Sequence, residues 1–592
     1  MPAYSSKDAL AESKKLLAYG GSERDWYTTA LGGQQAPQGH GRDARHMLAA
    51  PRRHSIGHGE RAPRCSALAA TGLAALLLSA CGYQPTAQAR HGGQLVVAVD
   101  SEPVSLNPLT AGDVSSVRAY APLYPLLYSA RPDLSIAPDL AASLPQLSAD
   151  GLTWTVPLRP HAQWSDGAPM TAADVVYTVT TESDPTLAGD ATFDWSMLAR
   201  VAAVDATTVR FTLRAPDAGF GARLVTPVVP AHVLSKYKPA QMDTAFFDTS
   251  PAVSGGPFQF KQRETASGLL TYTPNPHWYG GAPNFDKLTV DVVTDSRLVP
   301  PLLAQGQVLW SPQLADDAVS DAQQQVGVRL ASYPELSLVA LQCNDRAGTP
   351  TGSALVRQAL AAALDRGAVA HAAMGDNATP MWGDVPPQSW AYDASAVPHT
   401  VRDVAGARAL LAQAHVEAPL ALDLLYPRGD AARQAAAASI AAQAAPAGFQ
   451  ITPRAVDPVA LHSALASGQF SLALTETGTS LDPDRSASLS AAEVPPGNPA
   501  GLNWGGYASP AMDRLLAAER TAVAAPGAAL QSARRPAISA MEKLLATDLP
   551  FIPLYAPLHR AAYNVTVNGL VAGAQLDQDR DSAMYGRWYL AA

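Results

Sequence analysis

Trp154–Thr178 reads WTVPLRPHAQWSDGAPMTAADVVYT. Its opening alternates: Trp154, Val156 and Leu158 are apolar on every second position, as in a strand with one buried face. Asp166-Gly167 supplies turn chemistry and Pro169 fixes φ. Thr171 stands three residues ahead of Asp174, a capping-box spacing, and Val175, Val176 and Val179 continue as a helical face. The stretch predicts strand, turn and helix in succession.

The same two periods recur on both sides of it. Leu95/Val97/Val99, Val209/Phe211/Leu213, Leu288/Val290/Val292 and Leu422/Leu424/Tyr426 alternate as strands. Leu355, Val356, Ala359, Leu360, Ala363 and Leu364 form one helical face, and Asp403 is placed to cap a helix carrying Ala407, Leu410, Leu411 and Ala414. Gly429–Ala444 is alanine-rich with high helix propensity. Strands and helices mixed throughout predict an α/β fold, and no short tandem repeat is present.

The chain has 592 residues, 47% hydrophobic and 16% charged, enough for several domains with a sizeable core. Net charge is −9, and residues 1–81 carry a basic excess, so the body is more acidic than the total. An acidic body without a Lys/Arg cluster excludes nucleic acid as the expected partner. Of three cysteines, Cys65 and Cys81 precede the body, so Cys343 has no partner for a disulfide framework.

Ala67–Ala80 (ALAATGLAALLLSA) is too short to span a bilayer comfortably. It follows Arg52, Arg53, Arg61 and Arg64 and ends in small residues before Cys81, the order of a secretory signal. Leu78-Ser79-Ala80-Cys81 resembles a bacterial lipobox. That resemblance implies Cys81 as mature N-terminus, its thiol carrying a diacylglycerol that anchors the protein outside the cytoplasm on the cell membrane. Residues 1–46 are polar and without period, a disordered or non-native leader, with Met47 a plausible start of the signal segment 47–81. Residues 82–91 read as a tether.

Six segments, in order, resemble the family 5 extracellular solute-binding proteins of ABC importers, the peptide- and nickel-binding type. They are Gly92–Pro108, Trp154–Thr178 with its WSDGAPMTAADV core, Ser254–Gln262 with Pro274–Lys287 (PNPHWYGGAPNFDK), Leu355–Val369 (LVRQALAAALDRGAV), Asn503–Leu516, and Leu549–Tyr555 (LPFIPLY). The resemblance implies a two-lobed periplasmic-binding-protein-like fold with an extra subdomain and a hinge between the lobes. Lobe 1 would comprise 92–334 and 553–592, with a subdomain at about 125–248. Lobe 2 would be 335–552, with crossings near 334 and 553. The implied function is capture of short peptides between the lobes and delivery to the permease and ATPase subunits of an importer, by a monomer without a cofactor. Oligosaccharide, nickel chelate and haem remain alternative solutes, as does an exported enzyme on the same scaffold.

Catalytic patterns are missing from the sequence: no H-E-x-x-H, C-x-x-C, P-loop, G-x-G-x-x-G or G-x-S-x-G occurs. Ser235–Lys238 matches S-x-x-K without its companion motifs and reads as a solvated helix end. Four of the thirteen histidines lie within residues 1–81 and none of the rest has metal-ligand spacing, so no metal site is expected. The resemblance implies binding residues. Gly112, Asp113, Val114 and Ser115 would offer extended backbone to a peptide. Phe193, Trp195, Trp382, Trp504 and Tyr555 would supply rings to the cleft. Where the peptide-binding branch has an aspartate for the ligand ammonium, this chain has Thr479, and Glu476 occupies the position of a stacking tryptophan. Glu476, Asp482 or Asp484 would then supply the charge.

Overall fold

The structure, a computed structural model, describes residues 89–189, 194–264, 267–478, 480–493, 501–570 and 584–591. The leader, the signal segment with Cys81, and Phe193 and Thr479 lie outside the described residues. Among the described residues no helix is long and apolar enough to cross a membrane.

In the first lobe, Gln94–Val99 runs parallel to Lys287–Val292 on one side and to Trp310–Ser311 on the other. Leu270–Pro274 and Phe258–Arg263 extend this sheet antiparallel. The strand alternation works as the sequence suggests: Leu95 and Val97 enter one core with Leu288, Val290, Tyr272 and Trp310, while Ala98 faces Leu303, Val308 and Ala318 on the other side. A separate sheet, Gln146–Leu147, Thr153–Pro157, Thr208–Leu213 and Leu198–Asp205, lies within 125–248. Trp154 pairs with Phe211 across it, and both join the same apolar core as the main sheet of the lobe. The helix Ala172–Glu182 is closed by the capping box: Thr171 Oγ1 accepts from Ala173 N–H at 3.3 Å and Asp174 Oδ2 accepts from Thr171 N–H at 2.8 Å.

In the second lobe, Phe449–Val456, Leu420–Pro427, Leu472–Gly478 and Ser337–Cys343 form a sheet between two helical layers. Val339 and Leu341 pack with residues of the helices Ala354–Ala362, Arg366–Met374, Val404–Gln413 and Ala431–Ala444. Leu338 and Ala340 pack with Met512, Leu516, Ile538 and Met541 of Pro510–Arg520 and Ala528–Asp548. Asp365, Asp403 and Asp430 cap three of these helices through their carboxylates.

One strand belongs to both lobes. Phe551–Asn564 pairs with Ser337–Cys343 and Ala378–Pro380 up to Pro557, then with Val328–Pro334 and Trp310–Ser311 from Leu558 onward. The second exchange of partners thus falls at Pro557–Leu558, beyond the position near 553 implied by the family pattern, because the strand continues unbroken through that point. Between Pro553 and Tyr555 the register slips against Val339 and Ala340, a bulge at the proline, where the ladder loses a donor anyway.

Trp195, expected in the cleft, is instead in the subdomain core. It stacks on Phe211 at 6.5 Å, and its indole N–H donates to Glu182 Oε2 at 2.9 Å. Burial pushes the Glu182 carboxyl up to about 8, against the opposing hydrogen bonds from Trp195 and Thr226. A raised carboxyl binds its proton in the folded state first, so its stabilising contribution is complete below the ordinary glutamate range and is lost as pH rises through about 8. Glu182→Gln should therefore match the wild type in urea unfolding at pH 4. It should gain on it with rising pH, by at most roughly 1.4 kcal/mol per pH unit. A wild-type-minus-variant difference that stays flat from pH 4 to 8 would contradict this account of Glu182.

Candidate functional site

Strand direction decides where a ligand can sit. Trp310–Ser311 runs antiparallel to the shared strand, so it and its parallel neighbour Gln94–Val99 point their carboxyl ends towards the Pro557–Leu558 crossing. In the second lobe Gly478 pairs with Ser337, next to the other crossing, and Leu420–Pro427 runs parallel to Leu472–Gly478. The carboxyl ends of strands from both lobes therefore face one another across the gap. Crevices outside strand carboxyl ends are where open α/β sheets bind ligands.

On the second-lobe side of this gap a sheet edge lacks a strand partner, with Leu474 and Thr475 buried and Glu476–Gly478 reaching the surface. Leu472–Gly478 pairs along its whole length with Ser337–Cys343, but with Leu420–Pro427 only at Leu472 and Ala473. Beyond that, Leu420–Pro427 stays with Phe449–Val456, so among the described residues no strand covers Leu474–Gly478 on that side. Beside this edge stands a charged group. Asp430 caps the helix Ala431–Ala444 by accepting from Arg433 N–H at 2.8 Å, which fixes Arg433 in the first turn. The Arg433 guanidinium donates to Glu476 Oε2 at 2.5 Å and to the Tyr555 hydroxyl at 3.2 Å. The bulge before Tyr555 brings that ring to the Arg433 side. Burial pushes the guanidinium down, but Tyr555, Glu476 and Asp430 outweigh it and leave Arg433 raised. Burial raises the Tyr555 phenol, with Arg433 opposing.

On the first-lobe side, Gly112–Ser115 does not form the expected extended segment. Asp113 accepts from Ser116 N–H at 2.8 Å and caps the helix Val114–Tyr120, so Val114 and Ser115 already belong to its first turn. The segment does emerge at the gap, after the strand ending at Val99, where the Ser115 hydroxyl donates to Asp100 Oδ1 at 3.0 Å.

The subdomain meets the second lobe directly. Ala218 N–H donates to the Arg520 carbonyl, and Trp390 N–H to the Asp133 carbonyl, both at 2.8 Å. Arg520 pairs with Asp217 at 3.8 Å and with Asp484 at 3.5 Å. Asp482 is held by Arg534 through two oxygens, at 2.7 and 2.5 Å, and Arg534 also pairs with Glu519. A methyl group at Gly219 would stand 2.7 Å from Asp482 Oδ1, so only glycine admits this approach. Burial raises the Asp217 carboxyl, with Arg520 partly offsetting it.

Each carboxylate offered for a ligand ammonium is thus already matched: Glu476 by Arg433, Asp482 by Arg534, Asp484 by Arg520. Tyr555 and Glu476 come together at the open edge, while two tryptophans do not join them. Trp382 stacks on His399 at 4.1 Å beyond the edge strand Ala378–Pro380, with two strands between it and Glu476. Trp504 packs near Leu461, Leu465 and Phe470 at the start of Leu472–Gly478, the end remote from the crossing. Arg433 and Arg534 escaped the sequence reading because each sits in a helix whose composition suggests a solvated face. Ser235 is an exposed helix end, as expected. No group of three or more His, Cys, Asp or Glu among the described residues could hold a metal ion.

The family model described as bacterial extracellular solute-binding proteins, family 5 Middle, matches residues 135–497. Protein XP55 of Streptomyces lividans is 30% identical over 478 residues, covering 77% of this chain and 84% of that protein. The "Probable D,D-dipeptide-binding periplasmic protein DdpA" of Escherichia coli (strain K12) is 24% identical, over 82% of this chain and 92% of its own length. Among solved structures, the ABC transporter substrate-binding protein CtaP of Listeria monocytogenes superposes with a TM-score of 0.70 at 23% identity. It covers 85% of this chain and 100% of that one. The oligopeptide-binding protein AppA of Bacillus subtilis, in complex with a nonapeptide, gives 0.61 at 21%, over 85% of this chain and 100% of that one. The two-lobed architecture, the gap between strand carboxyl ends and these similarities lead to one assignment: the chain belongs to the bacterial extracellular solute-binding proteins of family 5.

Proposed function

We propose that this protein is the peptide-capturing component of an ABC importer, anchored to the outer face of the cell membrane through Cys81, and that it binds without transforming its ligand. The observation that carries the peptide reading is the unpaired edge at Glu476–Gly478, at the carboxyl end of its strand beside Arg433 and Tyr555. An extended peptide satisfies such an edge with its own backbone, which gives affinity with little dependence on side chains. The oligopeptide-binding and D,D-dipeptide-binding names of its relatives support the same class. The matched carboxylates support ligands that are not gripped at the amino terminus by one of these acids.

Calorimetric titration with short peptides should give binding, and N-methylation of alternate peptide amides should weaken it by roughly tenfold per lost backbone hydrogen bond. Peptides that bind equally well when methylated at every amide would overturn the edge-pairing mode. Turnover of those peptides by the purified protein would overturn the transport-receptor reading. Intact-mass analysis of detergent-extracted protein should find Cys81 at the amino terminus carrying diacylglycerol, and Cys81→Ala should leave an uncleaved precursor. A soluble mature protein with an unmodified Cys81 would contradict the anchor.

A further inference from the structure

The buried arginines of this protein differ in how their charge is met. Arg357 lies against Asp345, Arg433 against Glu476, and Arg534 against Asp482 and Glu519. Arg366 donates to the Pro553 carbonyl inside the second lobe. Among the described residues Arg118, like Arg366, has no carboxylate beside it, but it lies in the first lobe, near the strand that passes between the lobes. It is 6% exposed, makes no ion pair among the described residues, and hydrogen-bonds to a neutral amide, Nη2 donating to Gln313 Oε1 at 2.6 Å. Its other electrostatic neighbour is the Tyr585 phenol, which burial raises and Arg118 draws back down. A guanidinium withdrawn from water without a counter-charge is costly.

Its position explains what could meet that charge. Gln313 lies just beyond Trp310–Ser311, at the carboxyl end directed to the gap, and the Ser311 hydroxyl donates to its carbonyl at 2.8 Å. The adjacent Pro312 carbonyl takes a hydrogen bond from His559 Nε2 at 2.9 Å, and His559 follows the point where the shared strand changes lobes. Arg118 itself rides on the helix that Asp113 caps at the gap. The guanidinium therefore lies beside the residues that follow the carboxyl end of Trp310–Ser311, next to the hinge.

We propose that Arg118, supported by Gln313, is the carboxylate-recognition residue of the ligand site. This rests on the peptide reading above and narrows it to peptides presenting a carboxylate at the hinge end. With Nη2 engaged by Gln313, the remaining guanidinium N–H groups and the Gln313 amide N–H₂ form a donor set suited to two carboxylate oxygens. A peptide carboxylate can come from the free carboxyl terminus or from an Asp or Glu side chain.

The test is calorimetric titration of the mature protein with three probes: Ala-Phe-Ala-Ala as free acid, the same peptide as carboxyl-terminal amide, and Ala-Glu-Ala-Ala amide. The wild type should favour a carboxylate-bearing probe over the uncharged amide by roughly 10- to 100-fold. Whichever acid-bearing probe is favoured identifies the source. Arg118→Gln removes the charge and should erase the preference, the acid-bearing probe falling to the affinity of the neutral amide; Arg118→Lys should restore part of it. Equal binding of all three probes by the wild type, or a preference that survives in Arg118→Gln, overturns the proposal. If no probe binds the wild type, the peptide reading fails and the unliganded melting temperature decides for Arg118. A variant Arg118→Gln melting as high as the wild type or higher supports a residue kept for a carboxylate of another solute. A lower melting temperature makes Arg118 a structural residue and overturns the proposal.

Discussion

The strand Phe551–Asn564 is the constraint on which everything else rests. Its backbone hydrogen bonds are completed by second-lobe strands before Pro557 and by first-lobe strands after Leu558. Neither sheet is complete without it, and each sheet inherits its direction from it. Because Gln94–Val99 runs opposite to it, through Trp310–Ser311, and Leu472–Gly478 runs along it, through Ser337–Cys343, the carboxyl ends of these two strands point at each other. The gap is thus a consequence of topology, and the polar groups within it follow from what emerges at those ends. Two short crossings beside each other leave bending as the low-energy motion between lobes.

The second determinant is how charge is distributed around the gap. Helix arginines neutralise Glu476, Asp482 and Asp484, and near the subdomain contact Arg520 and Arg534 meet Asp217, Asp482, Asp484 and Glu519. In the buried Arg534 pairs desolvation offsets most of the attraction. Of the ion pairs near this contact, Arg520–Asp217 joins the subdomain to the second lobe, with Gly219 admitting Asp482 closely.

Much of the fold was legible in the sequence because it is written in periods and caps. The alternations at Leu95, Trp154, Val209, Leu288 and Leu422 all became strands, and Thr171 and Asp403 cap the helices they were expected to cap. The site was less legible for physical reasons. Trp195 and Trp504 carry the same ring whether they line a cleft or fill a core, and only packing tells these apart. The family resemblance implies extended backbone at Gly112–Ser115, but the Asp113 carboxylate accepts from Ser116 N–H and starts a helix. Arg118, Arg433 and Arg534 are invisible to local patterns because their partners are distant in sequence; only the fold brings Gln313, Tyr555 and Asp482 to them.

The most direct test of this account is hydrogen exchange of the backbone amides of Leu472–Gly478 with and without a binding peptide. Amides directed to Ser337–Cys343 should be protected in both states, and those of Glu476–Gly478 directed to the unpaired side should gain protection only with peptide. Peptide binding that leaves the exchange of Glu476–Gly478 unchanged would contradict the account.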